Sequence, residues 1–241
     1  MRTIKLGILN AAPDQYHLPT EKTEPEKFTD LFSAVAAPFS YATWDATECE
    51  FPASVSECDA YLVTGSPCSV NDDASWIRDL GQFLLDAKNA GKALVGVCFG
   101  HQLIAKSLGG RVGRADRGWM LGLHEIRLTR DKDWIRDGSG PQPLYFVNQD
   151  QVTELPGGAE SLAGSDACPY AMFMVGNGVL GLQAHPEQPR TSIEAFAQRL
   201  LELGRIDQQD YAAAIASLGR GEAQGYKAAK WITRFLVGSC R

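Results

Sequence analysis

The chain has 241 residues, 44% of them hydrophobic and 22% charged, an ordinary globular mixture that excludes a disordered polymer. Its 23 basic and 29 acidic side chains leave a net charge of −6, so the surface offers no general attraction for nucleic acid or anionic lipid. At this length one α/β domain with an appendage is expected, with a core that needs no disulfide or metal staple.

In chain order, strands and helices alternate. Ile4 to Leu9 is a short apolar run suited to a buried strand. Phe28, Leu31, Phe32 and Val35 follow at helical spacing, behind a capping box of Thr23 and Glu26. Ala60 to Val63 reads as a second strand, and Trp76, Leu80, Phe83, Leu84 and Ala87 mark one face of a helix closed by Gly91. Ala93 to Val97 is a third strand, and Gly100 to Leu108 the helix after it, stopped by Gly109-Gly110. This order predicts an α/β fold: an open, mostly parallel twisted sheet with helices on both faces.

Beyond Gly110 the pattern changes. Leu123 to Thr129, Leu144 to Val147 and Val179 to Ala184 read as strands, with no strong helix between 130 and 178. Thr191 and Glu194 form a capping box for a helix carrying Ile193, Phe196, Ala197, Leu200 and Leu201 and ending at Gly204. Asp207 caps a second that ends at Gly219, and Ala228, Ile232, Phe235 and Leu236 share one face of a third. No apolar run approaches 18 residues, and the amino-terminal one is broken by Lys5, so neither a membrane span nor a signal peptide is expected. The six scattered cysteines read as reduced thiols, which makes the cytoplasm the expected location. Cys98 and His101 have the spacing of half a zinc site, but no second pair completes four ligands, so no metal is expected.

The chemistry concentrates at Gly96-Val97-Cys98-Phe99-Gly100. Ligands of open parallel sheets bind beyond the carboxyl ends of the strands, where Cys98 sits. Glycines two residues to either side permit a strained strand-to-helix turn that exposes the central side chain. The amino end of the following helix favours thiolate, the attacking species. Of four histidines, His185 is placed to act as base because it too follows an apolar strand, and Glu187 two residues on can orient its ring. His101 reads as structural, and His17 and His124 lack a supporting pattern.

Together, Gly96-Val97-Cys98-Phe99-Gly100-His101-Gln102 and His185-Pro186-Glu187 resemble the class I glutamine amidotransferases, and in particular proteins similar to the glutaminase part of GMP synthase. Val63-Thr64-Gly65-Ser66-Pro67 and Gln149-Asp150-Gln151-Val152 add to the likeness. The resemblance implies a flavodoxin-like fold and a Cys98, His185, Glu187 triad that hydrolyses the γ-amide of glutamine through a thioester, without cofactor or metal. It also implies an oxyanion loop at Gly65 and Ser66, working with the Phe99 N–H, and substrate contacts from Gln102, Asn148, Gln149 and Asp150. Asn148 replaces a histidine that relatives often carry.

The expected division is an amidotransferase-like domain over 1–190 and a helical extension over 191–241 packed on it. No phosphate-binding G-x-x-x-x-G-K-[ST] loop is present, so ammonia would pass to a separate synthetase. Two alternatives stay open: a stand-alone hydrolase or transferase of γ-glutamyl amides or peptides, and a non-catalytic glutamine-binding or regulatory protein.

Overall fold

A computed structural model describes residues 2–13, 22–115, 118–136 and 138–240; His17 lies outside them. The first half of the chain forms β1 (Ile4–Asn10), α1 (Glu24–Ala34), β2 (Phe39–Asp45), β3 (Ala60–Val63), α2 (Ser75–Asn89), β4 (Ala93–Val97) and α3 (Phe99–Ser107). Then come β5 (Arg111–Arg114), β6 (Met120–Leu128), β7 (Gln142–Asn148), β8 (Asp150–Glu154), β9 (Ala159–Gly164), β10 (Met172–Val175) and β11 (Val179–Leu182). Three helices follow: α4 (Arg190–Glu202), α5 (Gln208–Leu218) and α6 (Gly225–Ser239).

Nine strands make one sheet in the order β2-β1-β3-β4-β11-β10-β9-β6-β7, and β5 pairs with β8 separately. β2, β1, β3, β4 and β11 run parallel. The remaining four continue the sheet antiparallel. Successive strand residues point to opposite faces, and here each face has its own cover. Leu6, Ile8, Leu62, Val95, Val97, Leu180 and Leu182 meet α1 and α6 through Phe28, Phe32, Trp231 and Phe235. Leu9, Tyr61, Val63, Leu94 and Val179 meet α2 and α3 through Ile77, Leu80, Leu84, Phe99 and Leu103. The central strands are therefore apolar throughout, as strands buried on both faces must be. Over the antiparallel half, Ile193, Ala197, Ala214 and Leu218 of α4 and α5 cover Leu121, Leu123 and Tyr145.

The Thr23–Glu26 capping box of α1 is present, and Asp207 caps α5. The Thr191–Glu194 box is not. The chain stays extended only to Pro189 and turns helical at Arg190, so Thr191 lies inside the first turn and Glu194 instead accepts from Arg190 Nε at 2.8 Å. Five strands, β2, β5, β8, β9 and β10, go beyond the elements expected from sequence. β2 lies at a sheet edge and is half-buried, β8 and β9 carry too few apolar residues for a periodic signal, and β5 and β10 are only four residues long.

Two glycines and one histidine let α3 press on the sheet. A Cβ at Gly96 would lie 2.3 Å from the Gly100 carbonyl, and one at Gly100 would lie 2.4 Å from the Val63 oxygen. Behind them His101 is wholly buried, its ring 4.9 Å from that of Phe173. Burial pushes its pKa down to about 3, against weak opposition from the backbone of Gly181 and Tyr170.

Gly96→Ala is expected to cost about 1–3 kcal/mol in urea unfolding, because backbone rather than a flexible side chain must move. His101 generates a pH dependence. Its folded pKa lies below the unfolded value of about 6.5, so the unfolded chain binds the extra proton between those values. Its contribution is full above pH 6.5 and falls as pH drops, by at most about tenfold in the folding constant per pH unit. His101→Leu should flatten the unfolding free energy between pH 6.5 and 4.5 relative to the unsubstituted chain.

Candidate active site

β4 delivers Cys98 to the carboxyl edge of the sheet, and the backbone there is strained: φ is 51° and ψ −102° in a residue with a side chain. Such a conformation costs about 1–3 kcal/mol and persists only where packing enforces it. The enforcing contacts are the close approaches at Gly96 and Gly100 and two backbone hydrogen bonds, from Cys98 N–H to Leu182 O at 2.9 Å and from Gly100 N–H to Thr64 O at 3.2 Å. The turn holds Cys98, 5% exposed, at the amino end of α3, with Sγ 3.9 Å from the Val147 carbonyl oxygen.

β11, the parallel neighbour of β4, brings His185 to the same edge. The His185 N–H donates to Tyr145 O at 2.8 Å, tying the histidine turn to β7. Its Nδ1 lies 2.6 Å from Glu187 Oε1, and the Glu187 side chain is fully buried. Burial by itself would lower the pKa of His185; the Glu187 charge, the Cys98 sulfur and hydrogen bonds to both hold it well above the ordinary histidine range. The ring is thus set to carry a proton beside sulfur. Pro186 is fixed from outside by α6, where a Cβ at Gly225 would lie 2.4 Å from the Pro186 oxygen.

The loop after β3 closes over both groups. A Cβ at Gly65 would sit 2.9 Å from His185 Cε1 and 3.7 Å from Cys98 Cβ. Ser66 does not have a positive φ, so serine fits the backbone there without strain. Among the described residues no acceptor takes the N–H of Gly65, Ser66 or Phe99. Thr64 anchors the loop, accepting from Ala11 N–H at 2.9 Å and donating to the Gly65 carbonyl at 3.0 Å. Unpaired backbone N–H groups are thus available on the loop and at the start of α3, the two elements that flank Cys98.

The expected substrate-contact residues gather on the same side. Asn148 ends β7, and its Nδ2 donates to Asp150 O at 3.1 Å while its buried Oδ1 has no partner. Gln102 Nε2 donates to Asp150 O at 2.8 Å and to Gln183 Oε1 at 3.1 Å. Both amide hydrogens are thereby committed to the protein, which leaves Gln102 its oxygen for any ligand. The Asp150 carboxylate takes Ser69 Oγ at 2.5 Å and Arg114 Nε at 3.2 Å. Gln149 is half-buried, its carbonyl accepting from Ala115 N–H at 2.8 Å. His124 lies apart, Nε2 on the Leu121 carbonyl.

Sequence reasoning did not find Thr64, Gln183, Gly225, Gln188 or Glu24. Gln188 Nε2 donates to both carboxylate oxygens of Glu24 at 2.9 Å. Neither residue type has a motif, and their separation of 164 positions leaves no local signal. A groove of about 610 Å³ runs between α1 and the starts of α4 and α6; it includes Glu187 and Gln188 in its wall, and Cys98 is not part of it.

The glutamine amidotransferase class-I family model matches residues 34–201. Gamma-glutamyl peptidase 3 of Arabidopsis thaliana is 33% identical over 157 residues, 63% of each chain. GMP synthase of Vibrio vulnificus is 30% identical over 152 residues, 62% of this chain and 28% of that protein. A glutamine amidotransferase from Thermotoga maritima has the same fold, with a TM-score of 0.75 at 18% identity over the whole of both chains. The family match spans β2 to α4 and with them the cysteine turn, the Gly65 loop and the histidine turn, and by that match the chain belongs to the glutamine amidotransferase class-I family.

Proposed function

We propose that this chain is a cysteine amidohydrolase that cleaves a γ-glutamyl C–N bond. The observation that carries the reading is the convergence of Cys98, the His185–Glu187 pair at 2.6 Å and the Gly65 loop against both. The thiolate attacks the γ-carbonyl carbon, forming the C–S bond, while the N–H groups of Ser66 or Gly65 and of Phe99 stabilise the oxyanion. The His185 imidazolium gives its proton to the departing nitrogen as the C–N bond breaks. Water then gives a proton to His185 and attacks the thioester, and glutamate leaves as the C–S bond breaks, restoring the thiolate and imidazolium. Glu187 keeps the ring oriented throughout. No step calls on a cofactor.

The substrate we assign is a γ-glutamyl amide or peptide. Curated relatives with this activity in their names match along 63% to 76% of their own length in two cases, against 28% for GMP synthase. Gln102, Asn148, Gln149 and Asp150 would meet the amino-acid end of the glutamyl group. The second reading is glutaminase activity that feeds ammonia to a synthetase, favoured by the GMP synthase match. The convergence of Cys98, His185 and Glu187 argues against a non-catalytic role. In the same proposal, residues 1–190 are the catalytic unit, 191–241 complete its packing, and the protein works in the cytoplasm.

Cys98→Ala is expected to lower hydrolysis by more than about 10⁴-fold, and Gly65→Ala, whose Cβ meets the His185 ring, by about 100-fold or more. Purified protein offered γ-glutamyl dipeptides and free glutamine should release glutamate faster from the dipeptides. Glutaminase activity alone, rising when a synthetase is added, would establish the second reading instead; full activity in Cys98→Ala would reject both.

A further inference from the structure

We infer that Gln188 and Glu24 are positioning residues for the triad acid, an inference that rests on the triad reading above. Glu187 is placed through one oxygen only. Its Oε1 takes His185 Nδ1 at 2.6 Å and Gln188 Nε2 at 3.4 Å, and its buried Oε2 has no partner among the described residues. Gln188 is only 5% exposed, and its own oxygen has no partner among the described residues. The amide is therefore oriented entirely by its nitrogen, which spans two carboxylates. One side is Glu187. The other is Glu24 at the start of α1, which accepts at 2.9 Å on each oxygen and is bonded in turn by Lys27 Nζ at 2.9 Å.

The arrangement makes the amide direction unambiguous. With its nitrogen held by the Glu24 carboxylate, Gln188 cannot rotate to present its oxygen to Glu187, where two acceptors would repel. Lys27, 8% exposed, balances the charge that Glu24 brings into the cluster. The far end of the relay thus belongs to the first helix, while the near end follows the histidine by three residues. Among the described residues, the titratable or charged groups around His185 and Glu187 include Cys98 from the β4–α3 turn, Tyr145 of β7 with Glu222 at its hydroxyl, Arg190 of α4, Glu24 and Lys27 of α1, and Lys22 and Asp30, which line the same groove as Glu187. Of these, Glu24 is the one the amide links directly to Glu187.

The test uses two readouts on the full chain: alkylation of Cys98 by iodoacetamide as a function of pH, followed by peptide mass spectrometry, and steady-state hydrolysis of a γ-glutamyl dipeptide. Gln188→Leu and Glu24→Ala should each raise the pH midpoint of Cys98 alkylation, in the direction of Glu187→Gln, by about half a unit or more. Each should lower kcat by about 10- to 100-fold, by analogy with the loss when the hydrogen-bond partner of a metal-bound histidine is removed, with KM within about twofold. Glu24→Asp, which keeps the carboxylate, should recover part of both. An unchanged midpoint and kcat in Gln188→Leu and Glu24→Ala, alongside a shifted Glu187→Gln, would overturn the inference. So would a lowered midpoint, which would mean that Gln188 merely withdraws charge from Glu187. If Gln188→Leu does not fold, Glu24→Ala and Glu24→Asp decide the question. Because alkylation needs no substrate, failure of the unsubstituted chain to cleave any γ-glutamyl compound would reject the proposed function while leaving this test readable.

Discussion

The site depends on one close approach, that of the amino end of α3 to the ends of β3 and β4. Gly96 and Gly100 allow it by their lack of a Cβ, since added atoms there would lie 2.3 to 2.4 Å from backbone. The approach compels the residue between them to leave the ordinary backbone regions, and Cys98 does so at φ 51°. That strain is retained because sheet and helix are both anchored by apolar packing: Phe99, Leu103 and Ile104 on one side, Val63 and Leu94 on the other. The stored strain aims a sulfur at the space where β11 also ends.

Two kinds of sheet contribute unequal parts to the same edge. The parallel half supplies Cys98, the Gly65 loop and the strand that leads to His185, because every parallel strand presents its carboxyl end there. The antiparallel half supplies a wall: Val147 lies against the sulfur, Tyr145 takes the His185 N–H, and Asn148 reaches Asp150. The carboxy-terminal helices then fix that wall from behind, with α4 and α5 over β6 and β7 and α6 against Pro186. Burying His185 and Glu187 together is tolerable because each compensates the other, and the charge of Glu24 enters beside them already paired with Lys27.

Within residues 4–110, β1, α1, β3, α2, β4 and α3 were legible because their signals are local and redundant, and among the strands only β2 escaped. β1, β3 and β4 are unbroken apolar runs, α1 and α2 have one-sided stripes, and α1 carries a capping box that forms as expected. β9 and β10, by contrast, owe their state to neighbours: Ala159–Gly164 is a strand because β6 and β10 flank it, and its own sequence of small and polar residues has no preference strong enough to show that. The start of α4 failed differently: the backbone stays extended only to Pro189, so the helix begins at Arg190 and the expected Thr191 cap falls inside its first turn.

By itself the sequence picked out the cysteine and histidine turns, since a cysteine between two glycines and an acid two residues from a histidine are relations within a few residues. It also determined the order of strands and helices that carries both turns to one edge. Only the tertiary structure decided what holds them. Gln102 spends its amide on Asp150 and Gln183, and Gln188 spends its own between Glu187 and Glu24. Those partners lie 48 to 164 positions apart except for Glu187, and hydrogen bonds over such separations exist only once the core has brought the elements together.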